Sequence, residues 1–176
     1  MRFRTVSAFA LAFALGFCAA IIVAAGPDLT PTLFEGKSPR EAADALLGVA
    51  EQQAGKGTWQ LIAAGRVHYL SGNKEKGQAL FDKATSYEEG ASEWKRIARV
   101  YAEAGEFDKA AAVMEKSLAK KPQDPDVMAV LGALYNLAGK RDKAEELFRK
   151  SADREKDDFW NTVDIAGSYV GVRPQS

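Results

Sequence analysis

The residue types that most often supply a catalytic base or nucleophile are scarce in this chain, which has one histidine, His68, and one cysteine, Cys18. These two residues cannot form an intramolecular disulfide or complete a Cys/His zinc site. Adjacent carboxylates occur at 88–89 and 157–158, but no base or nucleophile lies near either pair in the sequence. We therefore expect no catalytic residue, no metal site and no cofactor, and we predict that the protein is not an enzyme.

The charge balance argues against a second class, the nucleic-acid-binding proteins. Lys and Arg together number 24, as do Asp and Glu, and 47% of the residues are hydrophobic. A nucleic-acid-binding surface usually appears as a clustered basic excess, and this composition shows no such excess. The length of 176 residues and the ordinary composition are typical of one helical domain.

A repeated pattern defines the elements that must position the side chains. Residues 91–124 and 125–158 are two copies of the same 34-residue pattern, with apolar residues at helical spacing. Glycine follows the first predicted helix of each copy, where a left-handed residue ends a helix, and proline marks the break between copies. The matching residues are Ile97 and Leu131, Tyr101 and Tyr135, Gly105 and Gly139, Ala110 and Ala144, and Met114 and Phe148.

This spacing of aromatic, small and aliphatic residues resembles the tetratricopeptide repeat family, whose members are solenoids of helix–turn–helix pairs. A more divergent copy precedes the two, because Gly72 lies 33 residues before Gly105. The resemblance predicts an all-α solenoid with about three full repeats and a half-repeat at each end. The predicted domain covers 38–176, with a half-repeat at 38–56, full repeats at 57–90, 91–124 and 125–158, and a capping helix at 159–170.

Local signals refine this prediction at three places. Ser38, followed by Pro39 and then by Glu41, predicts a capping box and the start of the first helix. His68 stands where the later repeats have tyrosine, so we expect a ring packed between helices rather than a catalytic base. Residues 173–176, which come after the last predicted helix, are expected to fray.

The N-terminal residues predict export. Residues 6–25 form an uncharged apolar or small stretch after Arg2 and Arg4, long enough as a helix to cross one bilayer core. Two basic residues before an apolar stretch keep the N-terminus inside and place the downstream domain outside the cytoplasm. Residues 1–25 are therefore either a cleavable signal peptide or a membrane anchor, and residues 26–37 are a linker rich in Pro and Gly. The small residues before Gly26 favour cleavage, whereas the length of the stretch favours an anchor.

The resemblance also implies a binding surface, since the first helix of each tetratricopeptide repeat lines the concave groove. Three cations stack on neighbouring helices there, which suits an extended peptide with an acidic segment or a free C-terminal carboxylate. The alternative is that Arg66, Lys95 and Arg99 are solvated surface charges with no ligand. The predicted peptide-binding residues are Ile62, Arg66, Tyr69, Lys95, Arg99, Ala133 and Asn136, with Ala102 and Ala129 on the same lines.

These features support two functions. One is an exported, periplasmic or membrane-anchored scaffold of the cell envelope, similar to bacterial tetratricopeptide repeat proteins that assist envelope assembly, with a protein or peptide as its partner. The other is a structural membrane subunit whose residues 6–25 assemble in the bilayer while the repeats brace a larger complex. Neither function involves a nucleic acid.

Overall fold

A computed structural model describes residues 27–175, in which eight α-helices and one short 3₁₀ helix account for all regular structure and no strand occurs. The 3₁₀ helix covers Pro31–Leu33. The α-helices are α1 (Pro39–Ala54), α2 (Thr58–Leu70), α3 (Lys74–Tyr87), α4 (Ala91–Glu103), α5 (Phe107–Lys120), α6 (Pro125–Leu137), α7 (Arg141–Arg154) and α8 (Phe159–Tyr169). Residues 1–25, for which a signal or anchor helix is predicted, lie outside the described residues.

The helices form three consecutive pairs, α2 with α3, α4 with α5, and α6 with α7. The first helix, α1, packs against α2, and the last helix, α8, packs against α6. Neighbouring pairs pack against each other through α2 with α4 and through α5 with α6, so the array extends in one direction as a solenoid does. The prediction of an all-helical repeat fold is confirmed.

Side-chain caps begin several helices where the sequence predicts them. Ser38 caps α1, because its backbone N–H donates to Glu41 Oε2 over 3.0 Å while its hydroxyl oxygen accepts from the backbone of Glu41. The hydrogen bonds from Ser38 hold the pKa of Glu41 below its usual value. Asp158 caps α8 by accepting from the backbone N–H of Asn161 over 2.6 Å. The acidic pair at 157–158 thus has a structural role at a helix start.

Glycines end the first helix of each pair in the left-handed conformation. Gly105 and Gly139 both have φ of 76°. After Gly105, the N–H of Glu106 donates to the carbonyl of Tyr101 over 2.9 Å, and the same bond recurs between residues 140 and 135. This is the Schellman arrangement, which satisfies carbonyls at the helix end and turns the chain into the next helix.

Rings at one repeated position connect neighbouring pairs. Tyr101 on α4 donates to Gln78 on α3 over 2.5 Å, and Tyr135 on α6 donates to Glu115 on α5. His68 occupies the same position on α2, and its Nε2 lies 2.8 Å from the Glu51 carboxylate on α1. His68 is 4% exposed, which agrees with a ring packed between helices and adds a partner that the repeat pattern did not predict.

Candidate functional site

A small cavity with a largely buried lining lies between α4 and α6, the first helices of two neighbouring pairs. Cations border it on the α4 side and aliphatic side chains on the α6 side, and we call this surface the groove. Pro174, from the segment after α8, completes the lining. The lining residues are Lys95, Ala98, Arg99, Ala102, Val130, Leu134 and Pro174.

The two groove cations have no acidic partner in the part of the chain that the structure describes. Lys95 is half-buried and Arg99 is exposed, and neither forms an ion pair with any residue between 27 and 175. Arg66 differs, since its Nε lies 2.5 Å from the Glu103 carboxylate. Glu103 borders a second cavity together with Arg99, so the paired and unpaired cations are neighbours. The structure therefore leaves two cations without an acidic partner, next to Val130 and Leu134, which are 5% and 1% exposed.

Three of the other predicted peptide-binding residues are buried by helix packing. Ile62 is 4% exposed, Tyr69 is 2% exposed and Ala133 is fully buried. Asn136 is half-buried and donates from its amide to the Ser168 hydroxyl over 3.0 Å. These residues contribute to helix packing, because they lie on the faces where α2 contacts α4 and α6 contacts α8. Their role in peptide binding stays a prediction, as does that of Arg66, Lys95 and Arg99.

Tyr69 belongs to a polar cluster that the sequence pattern did not predict. Its hydroxyl donates to Glu106 Oε2 over 2.6 Å, and Lys74 donates to the other carboxylate oxygen over 2.5 Å. Burial, reinforced by the hydrogen bond to Glu106, raises the pKa of Tyr69 to about 12. Hydrogen bonds from Lys74 and then Tyr69 lower the pKa of Glu106. Tyr69 is thus held by internal bonds and does not form a free wall of a binding site.

Within the segment after α8, residues 171–175, Pro174 is buried against the groove while the other four residues are exposed, so the expected fraying of residues 173–175 does not include Pro174. We call it the tail segment. Pro174 is buried, and the backbone N–H of Gln175 donates to Asp164 Oδ1 over 2.9 Å. No local signal in the sequence marks this contact, because it depends on a space between helices that are more than 30 residues apart from the segment. The residues that sequence reasoning missed here are Glu103, Val130, Leu134, Asp164 and Pro174.

The described residues contain neither a metal-binding cluster nor a membrane-spanning element. No group of three or more His, Cys, Asp and Glu side chains between residues 27 and 175 is arranged to hold a metal ion. Over the same range, every helix is too short or too polar to cross a bilayer.

Stacked helix pairs with a groove along their first helices define the class of helical-repeat binding scaffolds. Two family models, both described as tetratricopeptide repeat, match residues 62–125 and 101–160. Residues 62–160 are therefore tetratricopeptide repeats. The described helices fit this class, whose members serve as scaffolds for protein–protein interaction.

A solved structure shows the same fold. The crystal structure of MamA superposes with a TM-score of 0.51 at 23% sequence identity, covering 67% of this chain and 69% of MamA. This similarity extends to the fold alone. No curated protein sequence matches the chain.

Proposed function

We propose that this protein is a non-enzymatic scaffold of the cell envelope that holds an extended segment of a protein partner in the groove between α4 and α6. The observation that carries this proposal is the pair of unpaired cations, Lys95 and Arg99, opposite the aliphatic side chains of Val130 and Leu134. Such a surface offers charge at Lys95 and Arg99, and it offers apolar contact with Val130 and Leu134 once Pro174 leaves the cavity. A peptide that carries a carboxylate next to an apolar side chain would satisfy both.

Lys95 gains more from such a ligand than an ordinary surface cation would. A charge-assisted hydrogen bond contributes about 1.5–3 kcal/mol when it is made, and most surface ion pairs contribute less because water screens them. Lys95 is half-buried and next to an apolar wall, where screening is weaker. A partner carboxylate placed between Lys95 and Arg99 would therefore have both affinity and a fixed position along the groove.

The envelope location rests on residues 1–25, which lie outside the described residues. A reporter that is active only outside the cytoplasm, fused after residue 30, should be active, because Arg2 and Arg4 keep the N-terminus inside. Reversing the charge of both arginines should lower reporter activity. In a second fusion, with the reporter after residue 176, reversing the charge of Lys56 and Lys83 should leave the activity unchanged. A silent reporter with the native residues would contradict export.

Capture of the partner tests binding itself. The full chain should retain a specific protein from an envelope extract, and the double substitution Lys95→Ala/Arg99→Ala should lose it. Loss by the double substitution Lys83→Ala/Arg149→Ala, which removes the same charge from exposed positions on α3 and α7, would contradict the groove as the site.

A second function, the structural subunit of a larger membrane complex, is favoured by a different surface. Phe159 and Trp160 at the start of α8 are 66% and 57% exposed, with their rings 5.3 Å apart. Large exposed aromatic pairs are typical of contact surfaces. Intact mass of the protein from its host would show whether residues 1–25 are retained, as this function requires. Replacing both aromatics with Ser should then reduce the size of the complex in detergent.

A further inference from the structure

The tail segment begins with a turn that normally leads into another helix. Gly171 has φ of 80°, and the N–H of Val172 donates to the carbonyl of Gly167 over 2.9 Å. The same bond accompanies Gly105 and Gly139, where the chain continues into α5 and α7. After Gly171 no helix forms among the described residues, and the chain runs to the groove instead.

Pro174 occupies the part of the groove where we expect a side chain of the ligand to bind. It lines the same cavity as Lys95 and Arg99 on one side and Val130 and Leu134 on the other, and it is buried. Proline fits this position because a rigid apolar ring loses little conformational entropy on burial. The apolar contact available in this cavity is therefore already used by the protein's own chain.

A backbone bond fixes the segment beyond the proline. The N–H of Gln175 donates to Asp164 Oδ1, and Asp164 is 2% exposed on α8. A carboxylate that accepts a main-chain N–H recognises an extended backbone whatever side chain it carries. Pro174 and Gln175 together thus make the two kinds of contact, side chain in a pocket and backbone to a polar anchor, that peptide grooves make with their ligands.

We infer that the tail segment is an internal occupant of the groove, and that a partner binds by displacing it with a segment of the same chemistry. That segment has a proline for the cavity, a backbone N–H one residue later for Asp164 and, in addition to what residues 171–175 supply, a carboxylate for Lys95 and Arg99. This inference rests on the proposed function, since it specifies the ligand of the same groove. The affinity for a partner is lowered by the fraction of time in which the tail segment covers the groove.

Hydrogen exchange measures the position of the tail segment without any ligand. In the full chain, NMR should show slow exchange of the Gln175 amide, because Asp164 accepts its hydrogen. Pro174→Lys should abolish this protection, since the new ammonium would lie against Lys95 and Arg99. Pro122→Lys, at an exposed proline between α5 and α6, is the matched control and should leave the protection intact. Exchange of the wild-type Gln175 amide at the rate of an unstructured peptide would overturn the inference.

Binding of a synthetic peptide tests the displacement. The probe is the hexapeptide of residues 171–176, added to the full chain and followed by NMR. It should bind the Pro174→Lys protein about tenfold more tightly than the wild type if the native tail covers the groove nine-tenths of the time. Gln175→Pro, which removes the donor to Asp164 and leaves the helices unchanged, should give the same direction of effect. Equal binding to wild-type and variant proteins, or binding to neither, would overturn the inference.

The two proposals fail in different ways. If no partner is captured from an envelope extract but the Gln175 amide is protected and the hexapeptide binds the opened groove, the proposed function is wrong and the occupancy of the groove stands. If a partner depends on Lys95 and Arg99 but Pro174→Lys does not strengthen its binding, the groove is the site and the tail segment does not compete for it.

Discussion

Gly132 on α6 lies directly beneath the ring of Phe148 on α7, so close that a Cβ added to Gly132 would stand 2.5 Å from Phe148 Cε1. The equivalent pair of the earlier repeat, Gly65 and Phe81, has the same relationship, with a distance of 2.6 Å. In the repeat between them the small residue is Ala98 and its large counterpart is Met114. The sizes of the two facing side chains thus compensate for each other, because a phenylalanine ring faces glycine and the slimmer methionine faces alanine.

Gly132→Ala is expected to destabilise the protein, although alanine is the better helix former. The methyl group would overpack the contact with Phe148, at a cost of about 1–3 kcal/mol that exceeds the gain in helix propensity. The midpoint of urea unfolding measures the change. The control is Gly48→Ala in α1, where nothing lies within 4 Å of the added Cβ, and where stability should hold or rise.

A second substitution should rescue the first. Because Ala98 and Met114 occupy the equivalent positions of the middle repeat, Gly132→Ala combined with Phe148→Met reproduces a pair that the fold already contains. The double variant should unfold at a higher urea concentration than Gly132→Ala alone. Additive losses from the two substitutions would show that the contact between the residues is not the cause.

Leu131→Ala tests the core of the same helix by removing volume. Leu131 is 2% exposed and belongs to the hydrophobic core that runs through the repeats. Loss of a buried leucine side chain is expected to cost about 2–5 kcal/mol, and the cost is larger when the surroundings do not collapse into the cavity. Equilibrium unfolding by urea measures it. A loss below about 1 kcal/mol, the size expected of a surface substitution, would contradict the burial of this helix face.

The raised pKa values of the buried tyrosines determine how the free energy of unfolding should change at alkaline pH. Burial raises the pKa of Tyr135 to about 12, as it does that of Tyr69, and hydrogen bonds to Glu115 and Glu106 act in the same direction. An unfolded chain ionises its tyrosines near pH 10, so the stability from both groups is complete below that pH. It should be lost as the pH rises from about 10 to about 12. Burial also raises the pKa of Tyr101. Absorbance at 295 nm during titration should therefore show Tyr69, Tyr101 and Tyr135 ionising later than the other tyrosines of residues 27–175.

Replacement by phenylalanine assigns this effect to the two residues. The double variant Tyr69→Phe/Tyr135→Phe should lose most of the late-ionising fraction and keep the part that belongs to Tyr101, and its stability should depend less on pH above 10. Tyr87→Phe is the control, because Tyr87 is exposed and forms no hydrogen bond through its hydroxyl to any residue from 27 to 175. A titration in which all tyrosines ionise together would contradict the bonds to Glu106 and Glu115.

The sequence predicted the helices well because each depends on a local or periodic signal. Ser38 and Gly105 mark a start and an end through bonds to residues near them in the chain, and the 34-residue period fixes which faces are apolar. The contacts of His68 with Glu51 and of Tyr69 with Glu106 were not predictable in this way. These contacts join polar side chains from different repeats, and neither the repeat period nor helix propensity indicates which side chains will pair between repeats.

The groove was harder to predict, since its openness depends on the distance between repeats. Counting residues from one repeat to the next correctly placed Lys95 and Arg99 side by side on α4. Counting along the repeat period did not indicate that neighbouring helices would cover Ala133 and Tyr69. It also did not indicate that Pro174 would line the cavity beside α4. Those outcomes depend on how adjacent helix pairs pack in three dimensions.

The final prediction concerns the affinity of the groove. Replacing Lys95 and Arg99 together with Ala should weaken binding of a captured partner by one or more orders of magnitude. Each lost charge-assisted contact contributes about 1.5–3 kcal/mol, and about 1.4 kcal/mol corresponds to a factor of ten in affinity. The thermal midpoint should change little, because neither cation forms an ion pair within residues 27–175. Isothermal titration and thermal unfolding on the same samples separate these two effects.

Arg66 provides the comparison that makes this prediction specific. Its guanidinium is already paired with Glu103 at 2.5 Å, so Arg66→Ala should lower affinity less than the removal of either unpaired cation.

The control on α3 and α7, Lys83→Ala/Arg149→Ala, alters net charge by the same amount as the double substitution of Lys95 and Arg99. It should change affinity only through the weak, salt-dependent field of distant charges. If all three variants weaken binding equally, net charge governs the interaction and the partner has no defined binding site between α4 and α6. If only the Lys95 and Arg99 variant weakens it, and added salt reduces the difference from wild type, the carboxylate of the partner lies between these two cations.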